Sequence, residues 1–302
     1  MTQVQTRNAL RQQGFAFSVL AVIFSGLIVL LPPWNSSVET AFLAFLVFFL
    51  GVPHGAFDVI FAQRTYRLAS WHQWGIFCTA YVALAAAVVG FWWLLPVAFL
   101  TAFLLVSAFH FSGDLETGTP MLLRCWYGGS MLVFPAWFHE AEVTRLFGFL
   151  VPGLFSAQLA AFLHWLCLPW CLGLGISLLL QRRERWATTL EVVAVGLLAI
   201  SAPPLLGFTL FFCLMHSARH AIRTRTYAAE LSWSDLLKKA VVPMTACLLA
   251  GVALWPSLRG LSFDAAIVRT LFVGLAALTV PHMVLIERVR LAGWQRSAQS
   301  SR

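Results

Sequence analysis

Long runs of apolar residues follow one another along almost the whole chain, separated by proline, glycine or short groups of charges. A membrane-spanning helix needs about 20 mostly apolar residues. Breaking the sequence at the separators gives candidate segments at 15–31, 41–61, 75–94, 97–111, 119–138, 157–180, 187–202, 204–222, 240–256 and 267–286. The pattern predicts one all-α membrane domain over residues 1–302, a bundle of about eight to ten transmembrane helices.

Three stretches do not fit a simple series of full spans. Segments 97–111 and 187–202 are short, and the interval 139–156 is typical of a piece that lies at the membrane surface. The first apolar run lacks a small-residue cleavage site and ends in Leu31-Pro32-Pro33-Trp34. We therefore expect it to remain as an anchor and not to be removed as a signal peptide.

The composition excludes a soluble globular protein, because 60% of the residues are hydrophobic and only 11% are charged. The formal net charge of +8 does not indicate a nucleic-acid-binding protein, since the basic residues are scattered in short clusters between apolar segments. The six cysteines lie within or at the ends of apolar segments. They indicate neither a disulfide framework nor a thiolate metal site, and we expect them to be small apolar fillers.

The basic residues also predict the orientation in the membrane. If the N-terminus is cytoplasmic, all of the 20 lysines and arginines fall on the inner side except Arg145, Arg259 and Arg269. Cytoplasmic loops are enriched in such residues. The distribution predicts a multi-pass protein of the cell (inner) membrane with both termini in the cytoplasm.

Five of the eight histidines fall in the cytoplasmic halves of four predicted helices: His54, His110, His216, His220 and His282. Ionisable side chains within a span are costly, usually face the interior of the bundle and suggest function. His216 and His220 are four residues apart, so a helix places both rings on one face, within reach of a single metal ion. We expect no metal-binding role for the remaining histidines, His72, His139 and His164.

Two aspartates recur at the same distance from a histidine, Asp58 four residues after His54 and Asp114 four residues after His110. A metal-bound imidazole usually donates its second ring N–H to a carboxylate or a carbonyl. Asp58 and Asp114 are candidates for this supporting role, either to their own histidine or to one on a facing helix, and they could instead bind the metal directly.

Prolines accompany two of the histidines. Pro53 and Gly55 flank His54, where they are expected to loosen the helical hydrogen bonding. Pro281 precedes His282, whose role the sequence leaves open between a fifth ligand, a supporting donor and a substrate contact.

The residue types limit the identity of the bound metal or cofactor only in part. Imidazole suits zinc, copper, iron and nickel, and haem held between two histidines is also physically possible. The 26 phenylalanines and 13 tryptophans are mostly packing and lipid-facing material, but they would suit a long apolar substrate that enters from the bilayer.

Four motifs together resemble the Brp/Blh family, the β-carotene 15,15'-dioxygenases of bacteria and archaea that supply retinal to microbial rhodopsins. They are Gly51-Val-Pro-His-Gly-Ala-Phe-Asp58, Ser107-Ala-Phe-His-Phe-Ser-Gly-Asp114, Cys213-Leu-Met-His-Ser-Ala-Arg-His220 and Thr279-Val-Pro-His-Met283. The resemblance implies an all-helical membrane enzyme that uses non-haem Fe(II) and O2 to cleave the central double bond of β-carotene into two retinals.

Carried over position by position, the resemblance implies that His54, His110, His216 and His220 hold the iron. Asp58, Asp114 and His282 match accompanying positions and are expected to orient the metal ligands or to support catalysis. One departure is Ser112, because the family usually has glycine directly after the His-Phe of the second motif. Here Gly113 follows one residue later.

Four neighbours of these residues are expected to bind substrate along a tunnel between helices: Phe57, Phe109, Phe111 and Met283. The partners implied are β-carotene and O2 as substrates, the lipid bilayer, and a microbial rhodopsin as retinal acceptor, with no nucleic acid. Other functions stay open at this point. They are another non-haem iron lipid oxidase, which usually needs about eight metal-binding histidines, a haem-binding electron-transfer protein, a proton-relay transporter, and a family member that has lost cleavage.

Overall fold

The computed structural model describes residues 3–30, 36–182 and 185–291. The predicted anchor end Leu31-Pro32-Pro33-Trp34 lies outside them. So do both chain ends and Arg183, Arg296 and Arg302, which contributed to the predicted orientation. The sidedness of the bundle therefore stays a prediction.

All regular secondary structure in these described ranges is helical, which confirms the all-α class. The α-helices are α1 (Gln3–Leu30), α2 (Ser36–Leu46), α3 (Pro53–Ala56), α4 (Asp58–Thr65), α5 (Trp71–Leu94), α6 (Pro96–Phe111), α7 (Met121–Phe138), α8 (Glu140–Gly148), α9 (Phe155–Leu179), α10 (Trp186–Ser201), α11 (Pro204–Leu210), α12 (Ala218–Tyr227), α13 (Trp233–Leu254) and α14 (Phe263–Leu291). Each of the ten predicted apolar segments overlaps one of these helices or a consecutive set of them.

Seven helical stretches in the described part are long and apolar enough to cross a membrane. They are Val4–Ile28, Ser37–Thr65, Trp71–Leu94, Phe155–Leu179, Pro204–Tyr227, Trp233–Leu258 and Phe263–Val289. The segments at α6 and α10 form apolar helices of 16 residues each, shorter than a full span. The interval 139–156 contains the short helix α8, which has Glu140 and Glu142 in its first turn.

Two of the long stretches switch from α-helix to π-helix close to a histidine. Val47–Gly51 is π-helical between α2 and α3, and Phe211–Ser217 is π-helical between α11 and α12. A π-helical turn carries an extra residue per turn and is frequent at functional sites. In the first stretch Pro53 begins the four-residue helix α3, so the helix is interrupted where Pro53 and Gly55 were predicted to loosen it.

The stretch Pro204–Tyr227 occupies the centre of the bundle. In its most apolar window 72% of the residues are buried inside the protein, against none in the windows of α5 and α13. Helices with so little burial present their apolar side chains to lipid, whereas the central stretch is enclosed by other helices. It is also the stretch that carries His216 and His220.

Candidate metal centre

The five histidines predicted to converge do so in the interior of the bundle. Each is at most 9% exposed. His54 comes from α3, His110 from the last turn of α6, His216 from the π-helical turn, His220 from α12 and His282 from α14. Segments that are distant in sequence therefore bring their imidazole rings to one place.

Three of the rings form the tightest group. His54, His110 and His216 each offer one ring nitrogen, and the three nitrogens lie within 4.8 Å of one another. The ring centroids are 5.0 Å apart for His54 and His216 and 4.6 Å apart for His110 and His216. Small rotations of the side chains would bring such nitrogens onto one ion, so the group could hold a metal.

His220 and His282 complete the cluster. The His220 ring centroid lies 5.4 Å from that of His54 and 5.2 Å from that of His282. His282 is in turn 5.2 Å from His54 and 5.4 Å from His110. By distance alone His282 is as close to the centre as His220, and its role remains a prediction.

Both aspartates bind a histidine on another helix and not the one four residues before them. Asp114 contacts Nδ1 of His216 through both carboxylate oxygens, at 3.0 and 3.1 Å. Asp58 Oδ1 lies 2.7 Å from Nδ1 of His282. Of the two arrangements considered from sequence, the structure has the one that joins facing helices. Ser112 does not prevent Asp114 from reaching His216.

These contacts orient the second nitrogen of each ring. With Nδ1 engaged, Nε2 of His216 and of His282 is buried and has no hydrogen-bond partner among the described residues. A buried polar atom without a partner costs free energy unless something satisfies it. His54 is oriented similarly, because its Nδ1 lies 2.6 Å from the carbonyl oxygen of Gly51 and 3.0 Å from Ser217 Oγ.

Two close contacts involving glycine help to place the rings. A Cβ on Gly128 of α7 would overlap the backbone of α6 at Ala108 and Ser112, so only glycine lets the two helices approach so closely beside His110. A Cβ on Gly51 would likewise overlap the Phe212 ring, which stacks on His216 with centroids 5.6 Å apart.

The sequence analysis missed a tyrosine that extends one of the carboxylate contacts. Tyr81 on α5 donates its hydroxyl to Asp58 Oδ2 at 2.9 Å, while Oδ1 of the same carboxylate holds His282. The three side chains form one hydrogen-bonded chain that ends in the cluster. A lone tyrosine in an apolar helix carries no pattern that marks it as functional.

The sequence analysis also missed a buried ion pair formed by Arg219, which lies between His216 and His220 in the chain. The Arg219 guanidinium binds Glu191 of α10 through two bonds of 2.7 and 3.0 Å, with side chains 3% and 7% exposed. A signal was available, because Glu191 is a carboxylate inside an apolar segment and Arg219 lies between two predicted ligands. Arg219 Nε also donates a hydrogen bond of 2.9 Å to Oε1 of Gln13 on α1.

This ion pair is connected to the loop that carries Asp114. Arg219 donates to the carbonyl oxygen of Asp114 at 3.0 Å, and Arg223 donates to the same oxygen at 2.8 Å and to that of Gly113 at 2.9 Å. Arg124 donates to the carbonyl of Ser112 at 2.9 Å. Guanidinium groups therefore hold the backbone from Ser112 to Asp114, and with it the carboxylate that orients His216.

The four residues predicted to bind substrate occupy different surroundings. Phe111 is buried with its ring 5.0 Å from that of His216. Phe57 is buried in an apolar cluster with Ile60 and Phe61, and Met283 is partly buried. Phe109 is 42% exposed on the surface of α6. Their role in binding stays a prediction for all four.

An apolar cavity of about 80 Å³ has Phe111 among its lining residues. Helix α6 lines it with one face, from Leu100 through Leu104 and Ser107 to Phe111. At 1.5 Å per residue these 11 steps extend about 16 Å. The remaining lining residues are Phe103, Met131, Leu132, Pro135, Val143, Leu146, Phe147, Leu150, Pro204, Leu205, Phe208 and Phe272.

The remaining histidines lie elsewhere. His164 of α9 contacts Glu140 at 3.0 Å and stacks on Trp137 with centroids 5.5 Å apart. His72 packs on Trp71 at the start of α5, and His139 separates α7 from α8.

Comparison with known proteins finds one family whose model covers all four histidine motifs. The family model described as β-carotene 15,15'-dioxygenase matches residues 45–289. A β-carotene 15,15'-dioxygenase from uncultured marine bacterium 66A03 is 33% identical over 261 residues, which are 80% of this chain and 90% of that protein. No solved structure matches the chain significantly.

Proposed function

Because this chain belongs to the β-carotene 15,15'-dioxygenase family, we propose that it cleaves the central double bond of β-carotene with O2. The 15,15' carbon–carbon double bond and the O–O bond break, and one oxygen atom goes to each carbon, giving two molecules of all-trans-retinal. The observation that supports this most strongly is the buried cluster of five imidazoles beside an apolar cavity.

The residues fit a metal ion. We assign His54, His110, His216 and His220 as its ligands. One nitrogen of each of the first three lies within 4.8 Å of the others, and the His220 ring centroid lies 5.4 Å from that of His54. Nε2 of His216 is buried and without a hydrogen-bond partner among the described residues, as expected of a ligand atom. The carboxylate of Asp114 fixes the tautomer of His216 and makes Nε2 more basic.

We propose iron as the metal because the family resemblance implies it. Imidazole ligands alone do not choose between zinc, copper, iron and nickel, and the activation of O2 by electron transfer excludes zinc, which has a single oxidation state, but not copper. Ferrous iron, when bound, would supply the activation of O2. The protein contributes neutral ligands, the exclusion of water by the surrounding phenylalanines, and a fixed geometry.

We assign a supporting role to His282 and the two aspartates. Asp58 holds Nδ1 of His282, with Tyr81 bound to the other oxygen of the carboxylate. The Nε2 edge of His282 therefore faces the cluster in a fixed orientation, where it can contact the metal or the bound substrates. Replacing His282 should lower metal affinity less than replacing His216, which is one of the three histidines in the tightest group.

The cavity along α6 suggests why the cut is central. β-Carotene is about as long as the hydrocarbon core is thick, roughly 30 Å, so half of it is comparable to the roughly 16 Å between Leu100 and Phe111. A polyene that reaches the end of this cavity would place its middle near His216. At about 80 Å³ the cavity holds only a few water molecules, so substrate must displace rings such as Phe103 and Phe208.

The fold supports a location in the membrane, where substrate and product are both soluble. Seven helical stretches in the described residues are long and apolar enough to cross a membrane, which is compatible with a multi-pass membrane protein. We place it in the cell (inner) membrane, where a lipid-soluble carotenoid reaches the cavity from the bilayer. Retinal leaves as an equally apolar aldehyde. A microbial rhodopsin in the same membrane is the acceptor that we propose for it.

Expression in a bacterium engineered to accumulate β-carotene tests the proposal. Cells that contain the protein should lose their orange colour and yield retinal on extraction. His216→Ala should abolish this conversion, whereas His164→Ala should not, because His164 pairs with Glu140 away from the cluster. Unchanged β-carotene in cells that contain folded, iron-loaded protein would refute the activity. A Soret band in the purified protein would identify a haem protein instead.

A further inference from the structure

A second cavity, polar and of about 400 Å³, lies at one end of the bundle. Three parts of the chain meet there: the start of α1, the loop between α6 and α7, and the connection from α9 to α10. The lining residues are Arg7, Arg11, Glu116, Thr117, Arg182 and Arg185. None of these residues belongs to the histidine cluster.

The charges in this cavity, which we call the arginine pocket, are strongly unbalanced. Glu116 is the single acid among the described lining residues, and it binds Arg7 at 2.8 Å and Arg11 at 3.8 Å. Arg185 reaches Thr119 Oγ1 at 3.4 Å, which holds its guanidinium beside the loop. Four guanidinium groups against one carboxylate leave three positive charges in excess, so the pocket favours an anion.

The rim of the pocket shows where it lies relative to the bilayer. Leu179 and Leu180 precede Arg182 and are 86% and 80% exposed, and Trp186 follows Arg185 and is 63% exposed. Exposed apolar residues on these helix ends belong in lipid, and tryptophan is enriched at the boundary between membrane and water. The arginine pocket therefore lies at the level of the lipid headgroups, with apolar surface directly beside it.

We propose that the arginine pocket binds the headgroup of an anionic phospholipid. Arginine forms paired hydrogen bonds with phosphate oxygens, and basic pockets between transmembrane helices recognise acidic lipid headgroups. The phosphate sits between Arg182 and Arg185 on one side and Arg7 and Arg11 on the other. The acyl chains lie along Leu179 and Leu180.

Binding there also restrains the loop that carries Asp114. Glu116 and Thr117 line the pocket and lie two and three residues after Asp114, whose carboxylate orients His216. An anion that bridges α1, this loop and α10 fixes their spacing. The lipid therefore stabilises the folded protein, which is measurable without any assay of carotenoid cleavage.

The test uses full-length protein in a neutral detergent, titrated with phosphatidylglycerol, phosphatidylcholine or inorganic phosphate. Bound lipid is counted by native mass spectrometry, and the midpoint of thermal unfolding is recorded. Phosphatidylglycerol should bind and raise the midpoint, phosphatidylcholine should do neither, and phosphate alone should need at least tenfold higher concentration. Equal binding of both lipids would overturn the proposal, as would a full effect of phosphate alone.

Variants locate the site. The double substitution Arg182→Gln/Arg185→Gln should weaken phosphatidylglycerol binding tenfold or more, whereas Arg259→Gln, an exposed arginine of the loop between α13 and α14, should leave it unchanged. If the double variant does not fold, Arg7→Gln/Arg11→Gln tests the opposite wall of the pocket. Tight binding retained in a folded variant of either wall would contradict the assignment.

Discussion

Removing the carboxylate of Glu191 should destabilise the protein strongly. The side chains of Glu191 and Arg219 are 7% and 3% exposed and share two hydrogen bonds. Taking one partner from a buried ion pair leaves the other charge uncompensated and costs about 3–5 kcal/mol. Arg219 keeps weaker acceptors, the carbonyls of Asp114 and Leu10 and the amide of Gln13. We therefore expect Glu191→Ala to cost about 3 kcal/mol, the lower end of this range.

The assay is thermal unfolding in detergent, followed by near-UV absorbance or tryptophan fluorescence. For a chain of 302 residues, a loss of about 3 kcal/mol corresponds to a fall in the midpoint of roughly 5 °C. A variant that unfolds within about 2 °C of the parent protein would show that the pair contributes little. Thr189→Ala on the same helix is a matched control, because its hydroxyl bonds only weakly, at 3.5 Å, to the carbonyl of Arg185.

A double substitution separates stability from positioning. Replacing a buried ion pair with apolar residues of similar volume is often neutral or stabilising, so Glu191→Met/Arg219→Met should recover most of the lost stability. The carbonyl of Asp114 still loses one of its two guanidinium donors, Arg219, and keeps Arg223. Substituting a residue that orients a metal ligand typically lowers metal affinity or activity 10–100-fold. A stable double variant with unchanged metal affinity and retinal yield would refute a positioning role for Arg219.

Three further substitutions probe the cluster and the cavity. Tyr81→Phe removes one hydrogen bond to the Asp58 carboxylate. It should lower the free energy of unfolding by about 1–2 kcal/mol and lower metal affinity, measured by chelator competition, by less than tenfold. An unaffected metal affinity and unfolding midpoint would show that the hydrogen bonds from Tyr81 through Asp58 to His282 do not support the site. Gly128→Ala places a Cβ against the α6 backbone and should cost about 1–3 kcal/mol, whereas Gly75→Ala, with open space around it, should not lower the midpoint. Leu104→Trp fills the apolar cavity and should raise the KM for β-carotene while metal content stays unchanged; normal kinetics would show that substrate takes another path.

The helices and the histidine cluster were predictable because the membrane constrains sequence so strongly. Apolar runs reveal spanning helices, and an ionisable residue within such a run is exceptional enough to indicate function. His216 and His220 could be assigned to one face from their spacing alone. The convergence of His54, His110 and His282 followed from their similar predicted depth.

The pairing within the site could not be predicted, because it depends on which helix faces which. Asp58 lies one turn from His54 but bonds His282, and Asp114 bonds His216 rather than His110. The exposed position of Phe109 also depends on how α6 is rotated against its neighbours. The π-helical turn before α12, which displaces the register by one residue, carries no sequence pattern that we could have used.

We propose that the buried imidazole cluster holds the iron with which the protein cleaves β-carotene. Iron K-edge X-ray absorption of active protein, purified without oxygen, tests this proposal. We expect about one iron per chain, surrounded by nitrogen and oxygen atoms with the multiple-scattering pattern of several imidazoles, and loss of that signal in His216→Ala. Protein that converts β-carotene to retinal at full rate without iron, or with iron bound by sulfur, would contradict it.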